Sequence, residues 1–374
     1  MRTRSGARLE FQPPAVGEEE ARAVAEAVRS GWIGPGPRAA LLEERVAETL
    51  GVEHVLAVSS CTAAMQLALL ALDVGPGDEV VTSPITWPAT ANAIEACGAR
   101  PVFADVRESD LTIDPEHAAS LVGPSTKAVL PVHLAGQPAD LAALLDLGLP
   151  VVEDAAHAFG ARYRGALLGG LTSATCFSLY ATKHVAAGEG GLLTTRDPSL
   201  AERARRMRRL TRSPDGLYDQ VERGLKASLS DLHAAVALVQ LDRREELDAV
   251  RRRHVALYDD GLAGLAGITP LARDPRDTHA CHLYVVRISA REAGGTRDDY
   301  LAALAELGIA TSVHFLPVHR LTWFATRYPE QAALPVAERA GREVLSLPLS
   351  PAHRDDDVLR VVDAVREVHE RLRG

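Results

Sequence analysis

The strongest constraint on the fold is an alternation between short apolar runs and helical segments across residues 54–153. The apolar runs occupy residues 54–58, 79–82, 101–106, 128–133 and 151–153. The helical segments between them occupy residues 62–72, 88–97, 115–122 and 141–147. Strands that alternate with helices predict a mostly parallel sheet covered on both faces. Ligands bind outside the carboxyl ends of the strands in such sheets, so chemically active residues are expected there.

Further elements flank this repeat and indicate a second, smaller unit. Helical patterns cover residues 17–30, 39–50, 230–265, 297–307 and 355–373. Two more short runs, residues 282–288 and 311–315, are predicted strands. A chain of 374 residues has room for two units of this kind. We therefore expect an N-terminal segment (1–30), a large domain (31–240) and a small α/β domain (241–374).

Composition narrows the class of protein. Hydrophobic residues make up 47% of the chain and charged residues 24%, which is typical of globular proteins. The net charge of -9 argues against a nucleic-acid partner, which would need a basic surface. Four scattered cysteines without a CxxC pair indicate neither a disulfide framework nor a zinc site. No apolar run has the length of a signal peptide core or a membrane span, so we expect a soluble cytoplasmic protein.

The first two strand ends carry residues suited to a ligand with a phosphate and a planar ring. Ser60, Cys61 and Thr62 begin a helix, whose free N–H groups can hold a phosphate. A helix cap without a ligand explains the same residues. Trp87, after the second strand, can stack on a planar ligand or serve in packing alone.

The strand that ends at residues 153–154 carries two carboxylates. Because side chains alternate along a strand, Glu153 and Asp154 face opposite sides of the sheet, and only one can reach a common ligand. A buried Asp can hold a pyridinium nitrogen in its protonated form. The alternative is a helix cap or an ion pair with an arginine. His157 follows closely and can contact the same ligand or lie in the core.

Lys183 follows the next apolar run and precedes a glycine-dense return at Gly188–Gly191. An amine at such a position is a candidate for Schiff-base chemistry, whereas most loop lysines are solvated. In chain order, the four strand ends supply a phosphate anchor, an aromatic ring, a carboxylate and a lysine. Those are the groups that pyridoxal 5′-phosphate (PLP) requires, and we predict that cofactor.

The motifs resemble those of the DegT/DnrJ/EryC1/StrS family of sugar aminotransferases. The matching segments are Ser30–Ile33, Ser59–Ala64, Gly75–Val80, Pro131–His133, Gly136–Asp140, Glu153–His157, Phe177–Ser178, Thr182–Lys183, Gly188–Gly191 and His314–His319. The resemblance implies PLP fold type I: a large domain with a mostly parallel seven-stranded sheet and a small C-terminal α/β domain. Through Thr86-Trp87 and Glu153–Ala158 the chain looks most similar to members that aminate C4 of nucleotide-linked 4-keto sugars, notably the UDP-4-amino-4-deoxy-L-arabinose type.

The resemblance also implies residue roles. Lys183 would bind the cofactor covalently and move the substrate proton, and Asp154 would bind the ring nitrogen. The remaining cofactor contacts would come from Ser60, Cys61, Thr62, Trp87, Gln137, His157 and Ser178. The substrate contacts would come from Trp32, His314 and His319, although both histidines could instead lie at a subunit interface. The resemblance further implies a homodimer with an active site shared between subunits.

Two segments depart from the family pattern. Many relatives have Thr-Thr-Gly-Pro where this chain has Gly34-Pro35-Gly36-Pro37, which removes hydroxyl groups that could contact a sugar. In relatives the partner subunit supplies an Asn to the phosphate. The corresponding stretch, residues 224–231, has no Asn, and Lys226 or Ser228 would have to replace it.

The lysine decides the reaction type that the resemblance implies. Dehydratases of the family have His in place of Lys183, so the lysine favours transamination. The expected amino donor is L-glutamate, and the expected acceptor is a keto sugar linked to UDP or dTDP. A C3 keto sugar and a keto-cyclitol are open alternatives as acceptor.

Two other functional classes stay open. A nicotinamide-dependent oxidoreductase would fit the strand and helix repeat but lacks GxGxxG. A PLP-free binding protein of the same fold is the other alternative.

The charged run at 242–253 and the basic run at 203–209 are interpreted as solvated helix faces. The basic run could also contact a substrate diphosphate. The spacing of His314 and His319 does not indicate a metal site.

Overall fold

A central sheet of seven strands organises the large part of the chain. The computed structural model describes residues 8–209, 211–212, 218–219 and 222–374. In chain order the central strands are β1 (His54–Val58), β2 (Glu79–Thr82), β3 (Arg100–Phe103), β4 (Thr126–Leu130), β5 (Val152–Asp154), β8 (Ala174–Ser178) and β9 (Gly191–Thr195). Short paired strands outside this sheet are β6 (Arg162–Tyr163), β7 (Ala166–Leu167), β10 (Thr211–Arg212) and β11 (Tyr218–Asp219).

The strand order across the central sheet is β3-β2-β4-β5-β8-β9-β1. Three strands, β3-β2-β4, and four strands, β5-β8-β9-β1, form continuous ladders. The two ladders join where Val129 N–H donates to Pro150 O at 2.9 Å and Asp154 N–H donates to Pro131 O at 2.9 Å. All neighbours are parallel except those of β9, which is antiparallel to both β1 and β8. The predicted mostly parallel sheet of seven strands is therefore confirmed.

Helices cover this sheet and begin close to the predicted residues. Those of the first 210 residues are α1 (Glu18–Arg29), α2 (Pro37–Leu50), α3 (Cys61–Ala71), α4 (Ala89–Ala96), α5 (Pro115–Ser120), α6 (Leu141–Leu145) and α7 (Pro198–Arg208). Helix α3 is apolar on nearly all sides because it packs against β1, β5, β8 and β9 as well as α4 and α7. Its N-terminus lies at the carboxyl ends of β1, β5 and β8 and at the start of β9, where Gly191 meets the backbone of Ser60 and Cys61.

A second sheet of three antiparallel strands forms the core of the C-terminal part. Its strands are β12 (Ile268–Pro270), β13 (Tyr284–Ile288) and β14 (Val344–Leu347). The helices after residue 230 are α8 (Asp231–Asp242), which packs against α1 and α2, α9 (Arg244–Leu262), α10 (Ala290–Ala293), α11 (Arg297–Glu306), α12 (Thr322–Arg327), α13 (Pro335–Glu343) and α14 (Asp355–Arg373). One-turn 3-10 helices lie at Leu134–Gly136 and Val318–Arg320. The domain boundaries stay a prediction.

The N-terminal segment crosses to the C-terminal part as an extended strap. Leu9 exchanges backbone hydrogen bonds with Gly308 and Ala310 at 2.8 and 3.0 Å. Farther along, Gln12 Nε2 donates to the carbonyl oxygen of His282 at 3.0 Å. Through these bonds the strap brings Phe11 and Gln12 to the edge of a cavity at the carboxyl ends of the central strands.

One predicted strand is wrong. Residues 311–315 pair with a neighbour only through Ser312, which exchanges two backbone hydrogen bonds with Ser346 of β14. His314 instead bonds Ser346 Oγ through its ring at 2.8 Å, and Pro317, which has no N–H group, follows. The segment therefore lines the cavity as irregular chain. The predicted helix at 230–265 is two helices, α8 and α9.

The turn that departs from the family pattern has a steric explanation. A Cβ on Gly36 would lie 2.8 Å from both Asp231 Oδ2 and the Trp32 ring. Asp231 accepts hydrogen bonds from the N–H groups of Arg38 and Ala39 at 3.0 Å and so caps α2 from outside. The missing side chain at residue 36 thus leaves room for the carboxylate that caps this helix.

Across the described ranges, no helix combines the length and the apolarity that a bilayer span requires.

Candidate active site

A cavity of about 620 Å³ lies at the carboxyl ends of the central strands. Nine of the predicted site residues line it: Ser60, Cys61, Thr62, Trp87, Asp154, His157, Ser178, Lys183 and His314. They come from segments up to 254 residues apart in the chain, from Ser60 to His314. The structure thus brings the four strand ends together around one space.

Asp154 presents its carboxylate to the cavity and is held by several donors. Thr90 Oγ1 donates to Oδ2 at 2.7 Å, and Ala156 N–H donates to Oδ1 at 3.1 Å. The Cys61 thiol lies 4.0 Å from Oδ1 but only 3.4 Å from the carbonyl oxygen of Cys176, which is the nearer acceptor for its single hydrogen. Hydrogen bonds of this kind stabilise the ionised form of a carboxylate and fix its direction.

Glu153 occupies the opposite face of the sheet, as the alternation along the strand predicts. Its Oε2 lies 2.7 Å from His133 Nε2, and its Oε1 accepts hydrogen bonds from Thr172 and Thr175 at 2.6 Å. The other ring nitrogen of His133 accepts from Ala139 N–H at 3.0 Å, which places the ring hydrogen on Nε2. Glu153 is completely buried and serves this network, away from the cavity.

Lys183 extends its amine into the cavity. Burial lowers its pKa to about 8, and the positive charge of Arg251 acts in the same direction, while Asp154 and Cys61 oppose them. About one amine in ten is then neutral at pH 7, compared with roughly one in three thousand at the ordinary lysine pKa. A neutral amine is the form that attacks a carbonyl group or removes a proton.

The start of α3 forms a cradle beside the amine. Ser60 caps the helix by accepting a hydrogen bond from Ala63 N–H at 3.1 Å, and the next residues expose first-turn N–H groups, which have no partner within a helix. Strand β9 passes so close that a Cβ on Gly191 would overlap the backbone of Ser60 and Cys61. Ser178 Oγ accepts from Tyr180 N–H at 3.3 Å nearby. Such a cradle suits an anion.

Aromatic rings form one wall of the cavity. Trp87 is 65% exposed, and its ring centroid lies 6.2 Å from that of Phe315. Phe315 is also stacked with His157 at 6.0 Å, and Phe11 is stacked with His314 at 5.4 Å. Since exposed aromatic rings are costly in water, the wall is suited to covering planar or ring-shaped ligands.

Three predicted site residues do not line this cavity. The amide nitrogen of Gln137 donates to Pro138 O and Asp277, and its oxygen accepts from Asp274 N–H, so within this chain it holds a neighbouring loop. His319 is buried against Phe103 within the 3-10 turn at 318–320. Trp32 is 54% exposed on the turn before α2, outside the cavity of its own chain.

The basic run at residues 203–209 also lies away from the cavity. Arg203 and Arg206 both pair with Glu222, at 2.8 and 2.7 Å. Arg208 is buried, pairs with Glu43 and donates to Ala57 O at 2.9 Å. Ion pairs with Glu222 and Glu43 engage Arg203, Arg206 and Arg208, and none of these three arginines lines the cavity.

Several cavity residues had no prediction from the sequence. They include Phe11, Gln12, Thr90, Tyr180, Glu189 and His282. For Thr90 a signal existed, because it lies one helical turn after Thr86, beside the predicted second strand end. Nothing in the local pattern points to Phe11 or His282, because distant segments bring them to the site.

The residues present fit PLP. The α3 N-terminus suits the phosphate, Asp154 suits a protonated ring nitrogen, and Lys183 suits the aldehyde. His157 supports the fit, because its buried Nδ1 has no hydrogen-bond partner in the described part of the chain and lies at the cavity wall. Burial lowers the pKa of His157 well below its ordinary value, so the ring is neutral and can donate or accept one hydrogen bond.

Comparisons with known proteins agree with this site. The model of the DegT/DnrJ/EryC1/StrS aminotransferase family matches residues 14–366. The chain is 41% identical over 377 residues to the spore coat polysaccharide biosynthesis protein SpsC of Bacillus subtilis (strain 168), and the alignment covers 96% of this chain and 97% of SpsC.

Solved structures show the same fold. The crystal structure of DesI in the presence of its TDP-sugar product has a TM-score of 0.90 and 33% identity, covering 98% of this chain and 94% of DesI. The PLP form of Spr1654 from Streptococcus pneumoniae, described as a putative sugar aminotransferase, has a TM-score of 0.90 and 29% identity, covering 98% and 99%. A PMP form of Spr1654 matches as well. The chain therefore belongs to the DegT/DnrJ/EryC1/StrS aminotransferase family and is a PLP-dependent aminotransferase of fold type I.

Proposed function

We propose that this aminotransferase transfers the amino group of L-glutamate to the C4 keto group of a sugar linked to UDP or dTDP, in amino-sugar biosynthesis. The observation that carries the proposal is the meeting of Lys183, Asp154 and the α3 N-terminus at one cavity. The TDP-sugar product of DesI and the polysaccharide pathway of SpsC support a nucleotide-sugar substrate. The C4 position and the donor rest on the sequence resemblance, as does the similarity to the UDP-4-amino-4-deoxy-L-arabinose type.

The roles of the site residues follow from their positions. When bound, PLP supplies an aldehyde for the amino group and a ring that accepts electrons from the adjacent carbon. Asp154 keeps the ring nitrogen protonated through a charged hydrogen bond, while Thr90 and Ala156 hold the carboxylate in place. Cys61 and Thr62 offer N–H groups to the phosphate, and Ser178 offers its hydroxyl.

Lys183 would perform the proton movement. Its amine would hold the cofactor covalently when no substrate is bound. Once released by an amino substrate, the amine would take up the proton that leaves the substrate carbon and later give up a proton in turn. A lowered lysine pKa favours the first of these steps, because the amine must be neutral to accept the proton.

The assembly belongs to the same proposal. Within the described residues no arginine lines the cavity, although a nucleotide diphosphate carries several negative charges. This lack supports a homodimer in which the partner subunit completes the site. Trp32 would keep its predicted substrate role only by reaching the cavity of a second copy. We also propose a cytoplasmic location, which four unpaired buried cysteines support.

The test is turnover with defined substrates. Purified enzyme is incubated with L-glutamate and a panel of UDP- and dTDP-linked 3-keto and 4-keto sugars, and amino-sugar products are identified by mass. Product from a 4-keto sugar is expected. Product from a 3-keto sugar alone, or from a keto-cyclitol alone, would contradict the proposed acceptor. No product with any amino donor, despite bound PLP, would favour a binding role.

A further inference from the structure

His282 lies directly beside the amine of Lys183. Its Nε2 is 3.4 Å from Lys183 Nζ, across 99 residues of sequence. The histidine is 1% exposed and precedes β13. Its backbone is fixed on both sides, because its N–H donates to Ala135 O at 3.0 Å and its carbonyl oxygen accepts from Gln12 Nε2 at 3.0 Å. The backbone of His282 is therefore held by contacts that do not involve Lys183.

The ring itself is clamped by other side chains. His157 stacks on it with a centroid distance of 4.4 Å and an interplanar angle of 28°. The His184 ring lies 5.5 Å away on another side, and Asp248 Oδ1 fixes His184 through Nδ1 at 2.8 Å. Asp248 and Arg251 belong to the charged run of α9 that the sequence pattern assigned to solvent, yet both are buried near this cluster.

The surroundings keep His282 neutral. Burial lowers its pKa well below the ordinary value. The nearby groups Lys183, His157, His184 and Arg251 act in the same direction, because each can carry positive charge. A neutral imidazole accepts a hydrogen bond through one nitrogen. Nδ1 has no partner within the described residues, so the contact with Lys183 is the ring's one hydrogen bond there.

We propose that His282 is a positioning residue for Lys183, accepting a hydrogen bond from its amine and holding it in place between the two carbons that exchange a proton. This inference rests on the proposed role of Lys183. The proton balance is closed: the neutral amine takes one proton from the substrate carbon and becomes an ammonium group. One of its three hydrogens points to His282 Nε2, and another is delivered to C4′ of the cofactor, which restores the neutral amine.

The test compares two variants that separate hydrogen bonding from ring stacking. His282→Phe keeps a flat ring against His157 but removes the acceptor. His282→Gln removes the ring but can place its amide oxygen near the position of Nε2. If stacking alone matters, the Gln variant is the impaired one. If the hydrogen bond matters, the Phe variant is impaired and the Gln variant is rescued.

The first readout is the pKa of Lys183 in the cofactor-free protein. It is measured from the pH dependence of acetylation by mass spectrometry, with Lys127 and Lys226, the other two lysines, as internal references. Asp154, Cys61, Arg251 and the histidines 157, 184 and 314 also act on this amine and are unchanged in both variants. Loss of an acceptor destabilises the ammonium form, so the Phe variant should show a pKa lower by about one unit.

The second readout is the glutamate half-reaction of the PLP-loaded enzyme, followed by absorbance. We expect its rate constant to fall about tenfold in His282→Phe, with the KM for glutamate within about twofold, and to recover to within about threefold in His282→Gln. An unchanged pKa and rate in the Phe variant, or equal impairment of both variants, would overturn the inference. Covalent trapping of the cofactor on Lys183 is run in parallel, because its failure would instead overturn the proposed role of the lysine.

Discussion

Thr90 donates its hydroxyl hydrogen to Asp154 Oδ2 across 2.7 Å. A hydroxyl has one hydrogen to donate, so the neighbouring Thr86 hydroxyl, 2.7 Å from that of Thr90, must be the donor in their shared hydrogen bond. The two residues thus form a directed chain that ends on the carboxylate. Trp87 lies in the same short segment. Residues 86–90 therefore position both Trp87, which is proposed to cover the PLP ring, and Asp154, which is proposed to bind the ring nitrogen.

Thr90→Val should weaken the binding of PLP. The change keeps the shape of the side chain but removes the donor to Asp154, so the carboxylate loses a charge-assisted hydrogen bond. We expect about a tenfold higher dissociation constant, measured by titrating cofactor-free protein with PLP and following absorbance. Thr90→Ser, the matched control, should stay within about threefold of the parent. Equal affinity in the Val variant would show that Asp154 needs no such support.

The two neighbouring carboxylates should separate catalysis from stability. Asp154→Asn removes the charge that faces the cofactor ring, and we expect kcat to fall about 100- to 1,000-fold. Glu153→Gln places an amide donor against His133 Nε2–H or the hydroxyls of Thr172 and Thr175. The expected cost is about 1–3 kcal/mol in the free energy of unfolding, with kcat within a few-fold. Steady-state kinetics and denaturant unfolding measure both variants, and the reverse pattern would contradict the assignment of faces.

Asp154, Lys183 and Trp87 could be placed at one site from the sequence, because each follows an apolar run and the carboxyl ends of parallel strands meet at one edge of a sheet. The sequence does not show that the side-chain amide of Gln137 bonds Asp274 and Asp277, which lie about 140 residues farther along the chain. Whether this amide contacts a ligand or a loop distant in sequence depends on tertiary contacts. No local pattern contains that information.

Of the two glycines Gly34 and Gly36 before α2, only Gly36 should be intolerant of a side chain. Gly36→Ala brings a Cβ to 2.8 Å from the capping carboxylate of Asp231 and from the ring of Trp32. We expect a loss of about 1–3 kcal/mol in the free energy of unfolding, measured by denaturant titration. Gly34→Ala is the control, because no atom lies within 4 Å of its Cβ, and its effect should stay within about 0.5 kcal/mol. Similar values for both variants would contradict the steric explanation.

Acid should destabilise the fold through buried histidines. Burial, aided by the charge of Lys183, lowers the pKa of His314 to about 4, whereas the unfolded chain binds its proton near 6.5. Between these values the unfolded state carries more protons, so stability present above pH 6.5 is lost as the pH falls toward 4. His314→Asn, which cannot titrate, should lose less stability than the parent between pH 7 and 4.5. Parallel curves from denaturant unfolding would show that His314 does not titrate in this window.

The charged run of α9 shows a second limit of sequence patterns. Asp242, at the end of α8, and Arg253 are exposed as the pattern predicts, but each pairs with a residue of another helix, Arg45 and Asp355 respectively. Asp248, in the same run, is buried because His184 and Arg244 from its surroundings supply donors to its two oxygens. Helical spacing identifies charges that share a face, but only the packing of the chain shows which face is covered.

Covalent attachment of PLP to Lys183 can be observed directly by mass spectrometry. The PLP-loaded enzyme is reduced with borohydride, digested and analysed by mass spectrometry. The chain has three lysines, Lys127, Lys183 and Lys226, so the site of the added mass is unambiguous. We predict the reduced cofactor on Lys183 alone, and no label on the Lys183→Ala variant. Label on Lys127 or Lys226, or an unmodified Lys183 in enzyme that turns over, would contradict this prediction.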